Sequence, residues 1–280
     1  MQRRKWLIAR RIVQCASVLV FLAPLLLCGW SLFGLTVPTD DAILTPSELF
    51  FYGSLSSSQV FGLTLLDPFA FLQVTFASKS LDVQWLLFVL PVLVVYGVIG
   101  ARVFCGWICP VNLLLEGVDF LRKKLGIKVR ERALPRRTKI GMLLGTLLLS
   151  AVLCVPVFEL VSPIGAINKG MLFGSLAGLL TLVAMVILEL FWGHRVWCRA
   201  LCPLGGLYQL LGRLGLVKVV INSKACTKCN HCKEVCLASP EILDPCISAK
   251  TTSVRAGDCM RCGLCVDVCP AKALSIKIKP

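Results

Sequence analysis

Eight of the sixteen cysteines in this 280-residue chain repeat one spacing near its C-terminus. Cys226, Cys229, Cys232 and Cys236 read C-x2-C-x2-C-x3-C, and Cys259, Cys262, Cys265 and Cys269 read the same, followed by Pro270. A cubane [4Fe–4S] centre needs one thiolate per iron. Close spacing lets one loop wrap three corners, and the fourth ligand then comes from the other run. The pattern predicts two clusters, one on Cys226, Cys229, Cys232 and Cys269, the other on Cys259, Cys262, Cys265 and Cys236. The chemistry is one-electron transfer in a compartment that keeps thiols reduced. Zinc fits less well, because its sites pair ligands across a longer gap. Leu237 stands where Pro270 follows the second run, which changes an exit turn and not a ligand.

A second cysteine pattern lies upstream. Arg102-Val103-Phe104-Cys105-Gly106-Trp107-Ile108-Cys109-Pro110 and Arg195-Val196-Trp197-Cys198-Arg199-Ala200-Leu201-Cys202-Pro203 both read R-V-aromatic-C-x3-C-P. Each follows an apolar stretch that is itself preceded by a proline turn, Asp67-Pro68-Phe69-Ala70 or Ser162-Pro163-Ile164-Gly165-Ala166. The cysteines are offset by 93 residues and the prolines by 95, as in a duplicated two-helix unit. Cysteines at i and i+4 on a helix end share one face. Brought together by the pseudo-symmetry, Cys105, Cys109, Cys198 and Cys202 would hold a metal or a further iron–sulfur centre, or act as dithiol couples. Residue type alone does not choose between these.

The remaining candidates carry weaker signals. Cys15, Cys28 and Cys154 lie in apolar runs and read as packing, and Cys246 has no partner spacing. His231 reads as solvent-facing, and His194 precedes Arg195, so haem has no evident seat. Glu189 falls in an apolar run, where a proton or quinol role is weighed against snorkelling to the nearby interface or pairing with Arg195. Glu116 and Asp119 read as surface charges. No phosphate-binding glycine loop, hydrolase triad or dinucleotide fingerprint appears.

The elements that must position these groups look like membrane helices. The chain is 57% hydrophobic and 16% charged, with a mean hydropathy of +0.82. Soluble domains are about 45–50% apolar and about 25% charged. Four apolar stretches, near 12–35, 83–104, 140–160 and 171–192, are long enough to span a bilayer. The first exceeds the apolar core of a signal peptide and reads as a retained helix. Gly141, Gly145, Gly174 and Gly178 offer small-residue contact faces. The net charge of +15 sits in blocks beside these stretches, which speaks against nucleic acid. Five basic residues precede position 12, and nine more, from Arg122 to Lys139, separate the second and third stretches. The other two connections carry only Lys79 and Lys169. The positive-inside rule then places both termini and the ferredoxin segment in the cytoplasm, with the basic loop against anionic lipid. Residues 60–76, interrupted by Asp67-Pro68, read as a half-buried or interfacial segment in which that pair breaks any helix.

The predicted fold is thus an all-α membrane domain of four transmembrane helices with an internal two-helix repeat, followed by a small α+β bacterial two-cluster ferredoxin domain. Its parts are a cytoplasmic N-terminus (1–11), a first membrane repeat (12–110), a basic loop (111–139), a second repeat (140–215) and the ferredoxin domain (216–280).

This combination resembles the NapH family, the ferredoxin-type membrane components of periplasmic nitrate reductase systems. The likeness rests on Tyr52-Gly53-Ser54-Leu55, Asp67 to Gln73, Cys105 to Pro110, Cys198 to Pro203 and Cys259 to Cys269. It implies a quinol dehydrogenase subunit of the bacterial inner membrane that draws electrons from quinol and passes them toward a periplasmic nitrate reductase. It also implies partners, namely a periplasmic ferredoxin subunit and a membrane-anchored multihaem cytochrome. Two other classes compete. One is a metal-handling or assembly factor that uses the C-x3-C-P thiols, and the other is a scaffold for a redox complex.

Overall fold

The computed structural model describes residues 4–27, 51–127, 135–167 and 176–278. Helix α1 spans Lys5–Leu27. Its free N-terminal amides are met by a distant acid, since Trp6 and Leu7 donate to the Asp267 carboxylate at 3.3 and 2.9 Å. Cys28 and the end of the first apolar stretch lie outside the described residues.

Strands β1 (Phe51–Gly53), β2 (Ser57–Val60) and β3 (Leu63–Leu66) form an antiparallel sheet in that order, with Phe51 opposite Val60 and Ser57 opposite Leu66. Phe61 and Gly62 turn the second hairpin, both at positive φ (49° and 79°), the conformation a tight two-residue turn requires. Helix α2 (Pro68–Ser78) follows at once. The 60–76 segment holds parts of β2 and β3, and Asp67-Pro68, expected to break any helix, instead starts one. Asp67 is its N-cap, accepting from the Phe69 and Ala70 amides at 3.0 and 3.1 Å, and Pro68 occupies the first helical position, where a missing N–H costs nothing.

Helix α3 (Val83–Ile99) carries Pro91 and ends at Gly100, whose φ of +120° few other residues adopt. The short α4 (Val103–Trp107) leads to α5 (Pro110–Leu125), closed by Gly126 with Arg122, Lys123 and Lys124 in its last turn. Helices α6 (Thr138–Leu153) and α7 (Val157–Val161), a helical start at 163–167 and α8 (Leu176–Phe191) complete the next unit. A π-helical turn, Trp197–Leu201, then passes into α9 (Pro203–Leu211). The ferredoxin segment lies between β4 (Val217–Ile221) and β5 (Leu274–Ile278), antiparallel with Val217 opposite Ile278.

Helix α6 is central, packing on both α2 and α9. The closest approach is at Gly206, where a Cβ would lie 2.6 Å from the Lys139 carbonyl oxygen. Of the glycines expected to serve helix contact, Gly141 and Gly145 face open space, Gly178 is buried, and Gly174 lies outside the described residues. Phe69, Phe104, Leu115, Leu143, Phe158 and Tyr208 belong to one buried core, and Val219, Ile221, Leu243, Val254 and Leu274 to a second. The expected apolar stretches correspond to α1, α3, α6 and α8. Among the described residues, no helix is long and apolar enough to cross a membrane. The basic residues Lys128, Arg130, Arg132 and Lys169 lie outside the described residues.

Candidate iron–sulfur and thiol sites

Both cysteine-rich loops fold alike. Lys228 and Asn230 in the first, and Arg261 and Gly263 in the second, take left-handed backbone (φ 55°, 63°, 51° and 74°) at matching positions between cysteines. These reversals curl each C-x2-C-x2-C run around a recess. One recess is lined by Cys226, Cys229, Cys232 and Cys269. The other is lined by Cys236, Cys259, Cys262 and Cys265. Each therefore draws three thiols from one run and one from the other. The Ala273 amide donates to Cys269 Sγ at 3.3 Å. Burial, reinforced by Cys262 and Cys259, pushes the Cys236 thiol up to about 12. Among the described residues, no group of three or more His, Cys, Asp or Glu side chains could hold a metal ion. A recess ringed by four thiols fits a cubane instead, whose ligands stand apart at its corners.

The C-x3-C-P elements are built differently from one helix face. Cys105 lies within α4 and Cys198 within the π-helical turn, whereas Cys109 and Cys202 are the N-caps of α5 and α9. The reason is the following proline, which disfavours helical backbone in the residue before it. The fold nonetheless gathers all four thiols, since Cys109 is influenced by Cys105, Cys198 and Cys202. Burial raises each of them, Cys198 and Cys202 to about 12, and the Arg102 guanidinium opposes this at Cys105.

The residue that joins the two cysteine groups is one the sequence reading missed. Asp258, beside Cys259, is fully buried and meets three cations: Arg136 at 2.7 Å, Lys139 at 2.8 Å and Arg102 at 3.2 Å. Burial opposes its ionisation, but Lys139 and Arg102 outweigh that and hold the carboxyl below its usual range. Arg102 also donates to the Asp258 carbonyl at 3.1 Å and the Cys198 carbonyl at 3.0 Å. The arginine opening the first C-x3-C-P element thus touches both the second element and the ferredoxin loop. Further ties follow: Trp107 Nε1 donates to the Arg261 carbonyl at 3.2 Å, and Arg199 to the Cys236 carbonyl at 3.0 Å. The available signal was the arginine heading each repeat.

The second such arginine behaves in parallel. Arg195 is 2% exposed, donates to Asn112 Oδ1 and lies 3.3 Å from Asp119. Arg10, also buried, pairs with Glu116. Glu116 and Asp119 are therefore partners of buried cations and not plain surface charges. Glu189 is buried and accepts from the Val196 and Trp197 amides at 3.1 and 2.6 Å, which anchors the π-helical turn. Cys246 is buried against Thr251, His231 is exposed and His194 contacts Asp119, whereas Cys15 and Cys154 are exposed and do not pack.

Comparison with known proteins agrees with this organisation. A family described as a 4Fe-4S binding domain matches residues 81–128 and again 175–222, one match on each C-x3-C-P element. A second 4Fe-4S binding domain family matches residues 253–275. The methylamine utilization ferredoxin-type protein MauN of Paracoccus denitrificans is 33% identical over 91% of this chain and 84% of its own length. MauN of Methylorubrum extorquens is 32% identical over 100% of this chain and 91% of its own. The ferredoxin-type protein NapH of Haemophilus influenzae is 31% identical over 77% and 76%. No solved structure matches. Curled cysteine loops, duplicated C-x3-C-P elements and these relatives together make the chain a ferredoxin-type iron–sulfur electron-transfer protein, and it belongs to the NapH and MauN family.

Proposed function

We propose that this chain is the quinol-oxidising subunit of a respiratory electron-transfer system, embedded in the bacterial inner membrane with its ferredoxin domain in the cytoplasm. The observation that carries the reading is the direct tie between the second cysteine recess and both C-x3-C-P elements through Arg102 and Asp258. A membrane setting is supported by apolar side chains left exposed along the helices, among them Leu87, Leu90 and Val94 on α3, Leu144 and Leu148 on α6, and Leu180 and Ile187 on α8.

In this reading one [4Fe–4S] cluster is held by Cys226, Cys229, Cys232 and Cys269, and another by Cys259, Cys262, Cys265 and Cys236. Such a cluster, when bound, takes up and releases one electron at a time. The chain's own residues hold the thiolates, exclude water and fix the second recess against the thiols of the repeats. The acceptor system is a periplasmic nitrate reductase, reached through a periplasmic ferredoxin subunit and a membrane-anchored multihaem cytochrome. A second reading places the chain in methylamine utilisation, favoured by the near-complete coverage of the MauN relatives.

The test is quinol-driven reduction of the iron–sulfur centres, followed by EPR in membranes with dithionite reduction as the reference. A quinol-dependent signal supports the proposal; dithionite-reducible centres that never respond to quinol would sink it. Deleting the gene and comparing growth on nitrate with growth on methylamine separates the two acceptor systems.

A further inference from the structure

An apolar cavity of about 480 Å3 opens between α1, the β1–β3 sheet, α3 and α9. Its walls include Val13, Val20, Leu55, Val92 and Ile108. Ser17, Ser54 and Ser58 also line it, and its charged group belongs to a pair from distant parts of the chain: the Tyr208 hydroxyl donates to Asp67 Oδ1 at 2.6 Å. Tyr208 is fully buried, and its ring packs against Tyr96 and Phe104 with centroids 5.7 Å away in each case. We propose that this cavity is the hydroquinone site of the protein, with Asp67 and Tyr208 receiving one ring hydroxyl at its polar end. The inference rests on the quinol-oxidising reading above and assigns it a place.

Four observations converge on that ligand. A carboxylate offers about four lone-pair positions. Asp67 uses three, for Tyr208, Phe69 and Ala70, and lines the cavity with the remaining capacity. A hydroquinone hydroxyl is a donor that this capacity suits, whereas a lipid acyl chain has nothing to offer it. Next, the aromatic trio gives a flat ring an edge-and-face wall. At the mouth, Ile12 and Val20 on α1 are 64% and 50% exposed, a surface along which an isoprenoid tail can leave. Finally, Asp67 is near enough to Cys105 for its charge to influence that thiol, so the cavity adjoins the gathered thiols of the repeats.

The chemistry balances. Oxidation of one hydroquinone breaks two O–H bonds and yields one quinone, two protons and two electrons. One proton at a time passes to the Asp67 carboxylate and from it to water. The two electrons would be taken up singly by the iron–sulfur centres that the two cysteine runs would hold.

The test uses the full-length holoprotein in lipid nanodiscs and heptyl-hydroxyquinoline N-oxide, a fluorescent hydroquinone mimic that is not oxidised. Saturable quenching is expected in the wild type. Tyr208→Phe, which keeps the ring, should weaken it at least about tenfold, and Val92→Trp, which fills the cavity, should abolish it. Dithionite-reduced EPR spectra unchanged in both variants show that they fold. Binding that is absent from the wild type, or unchanged in both variants, overturns the site. Quinol-driven cluster reduction separates the two claims. If it persists in folded Val92→Trp, the cavity assignment fails and the quinol reading stands. If it is absent from the wild type while the mimic still binds there and not in Val92→Trp, the quinol reading fails and the cavity keeps its ligand class.

Discussion

Replacing Asp258 by Asn should loosen the ferredoxin domain from the two C-x3-C-P elements. The side chains of Asp258 and Lys139 are 0% exposed and that of Arg102 is 1% exposed, whereas Arg136 is 35% exposed. The substitution keeps the volume and one acceptor but leaves two buried cations without a counter-charge. Removing one partner of a buried pair costs about 3–5 kcal/mol, and the retained acceptor favours the lower end. Arg136, reaching solvent, adds little. A loss of about 3 kcal/mol multiplies the opened population by somewhat more than a hundredfold, because each 1.4 kcal/mol is a factor of ten. Native-state hydrogen exchange measures this directly at the Gly106 amide, where the ferredoxin loop approaches at Met260. An acceleration below tenfold would refute the argument. Lys139→Met is the control. It leaves Asp258 with Arg102 and Arg136, so its effect should be clearly smaller, and equal effects would mean that unpaired charge is not the cause.

Other expectations follow from the same geometry. Cys269→Ser and Cys236→Ser should each remove the cluster of the other run, halving iron per chain, and Mössbauer spectra that assign the loss to the mutated run would refute crossed ligation. Gly263→Ala should destabilise the docking of α1, because φ there is +74° and a Cβ would meet Trp6 Cγ at 2.4 Å; a cost of about 1–3 kcal/mol is expected from backbone strain and overlap, read from exchange of the Trp6 and Leu7 amides. Burial raises the Asp67 carboxyl to about 6, against the pull of Tyr208 and two amides. A raised folded value favours the protonated form, so this contribution is full below the unfolded value near 3.8 and is lost as pH climbs through about 6. The Tm difference between Asp67→Asn and wild type should therefore shift in favour of the variant between pH 4 and 7, and a flat difference would refute the shift.

Much of the chemistry was legible along the chain because cluster ligation is local. Three thiols of each recess lie within seven residues, so their spacing names the cofactor before any fold is known. The duplication was legible for a similar reason, since two copies of R-V-aromatic-C-x3-C-P keep their offset whatever the packing. Asp67-Pro68 was misread because a proline that ends one helix starts another equally well, and the N-cap hydrogen bonds that decide between them depend on backbone direction.

What sequence alone determined about this protein is its inventory: eight cysteines in two ferredoxin-type runs, four further thiols in two matched pairs, and apolar helices to carry them. Tertiary structure decided which groups meet. Asp258 looked like an ordinary acid until Arg102, Arg136 and Lys139, more than a hundred residues upstream, closed around it. Asp67 and Tyr208, 141 residues apart, became one hydrogen-bonded pair at a cavity. The physical reason is that a buried charge must find its counter-charge wherever the fold supplies one, and that partner leaves no periodicity or spacing in the chain.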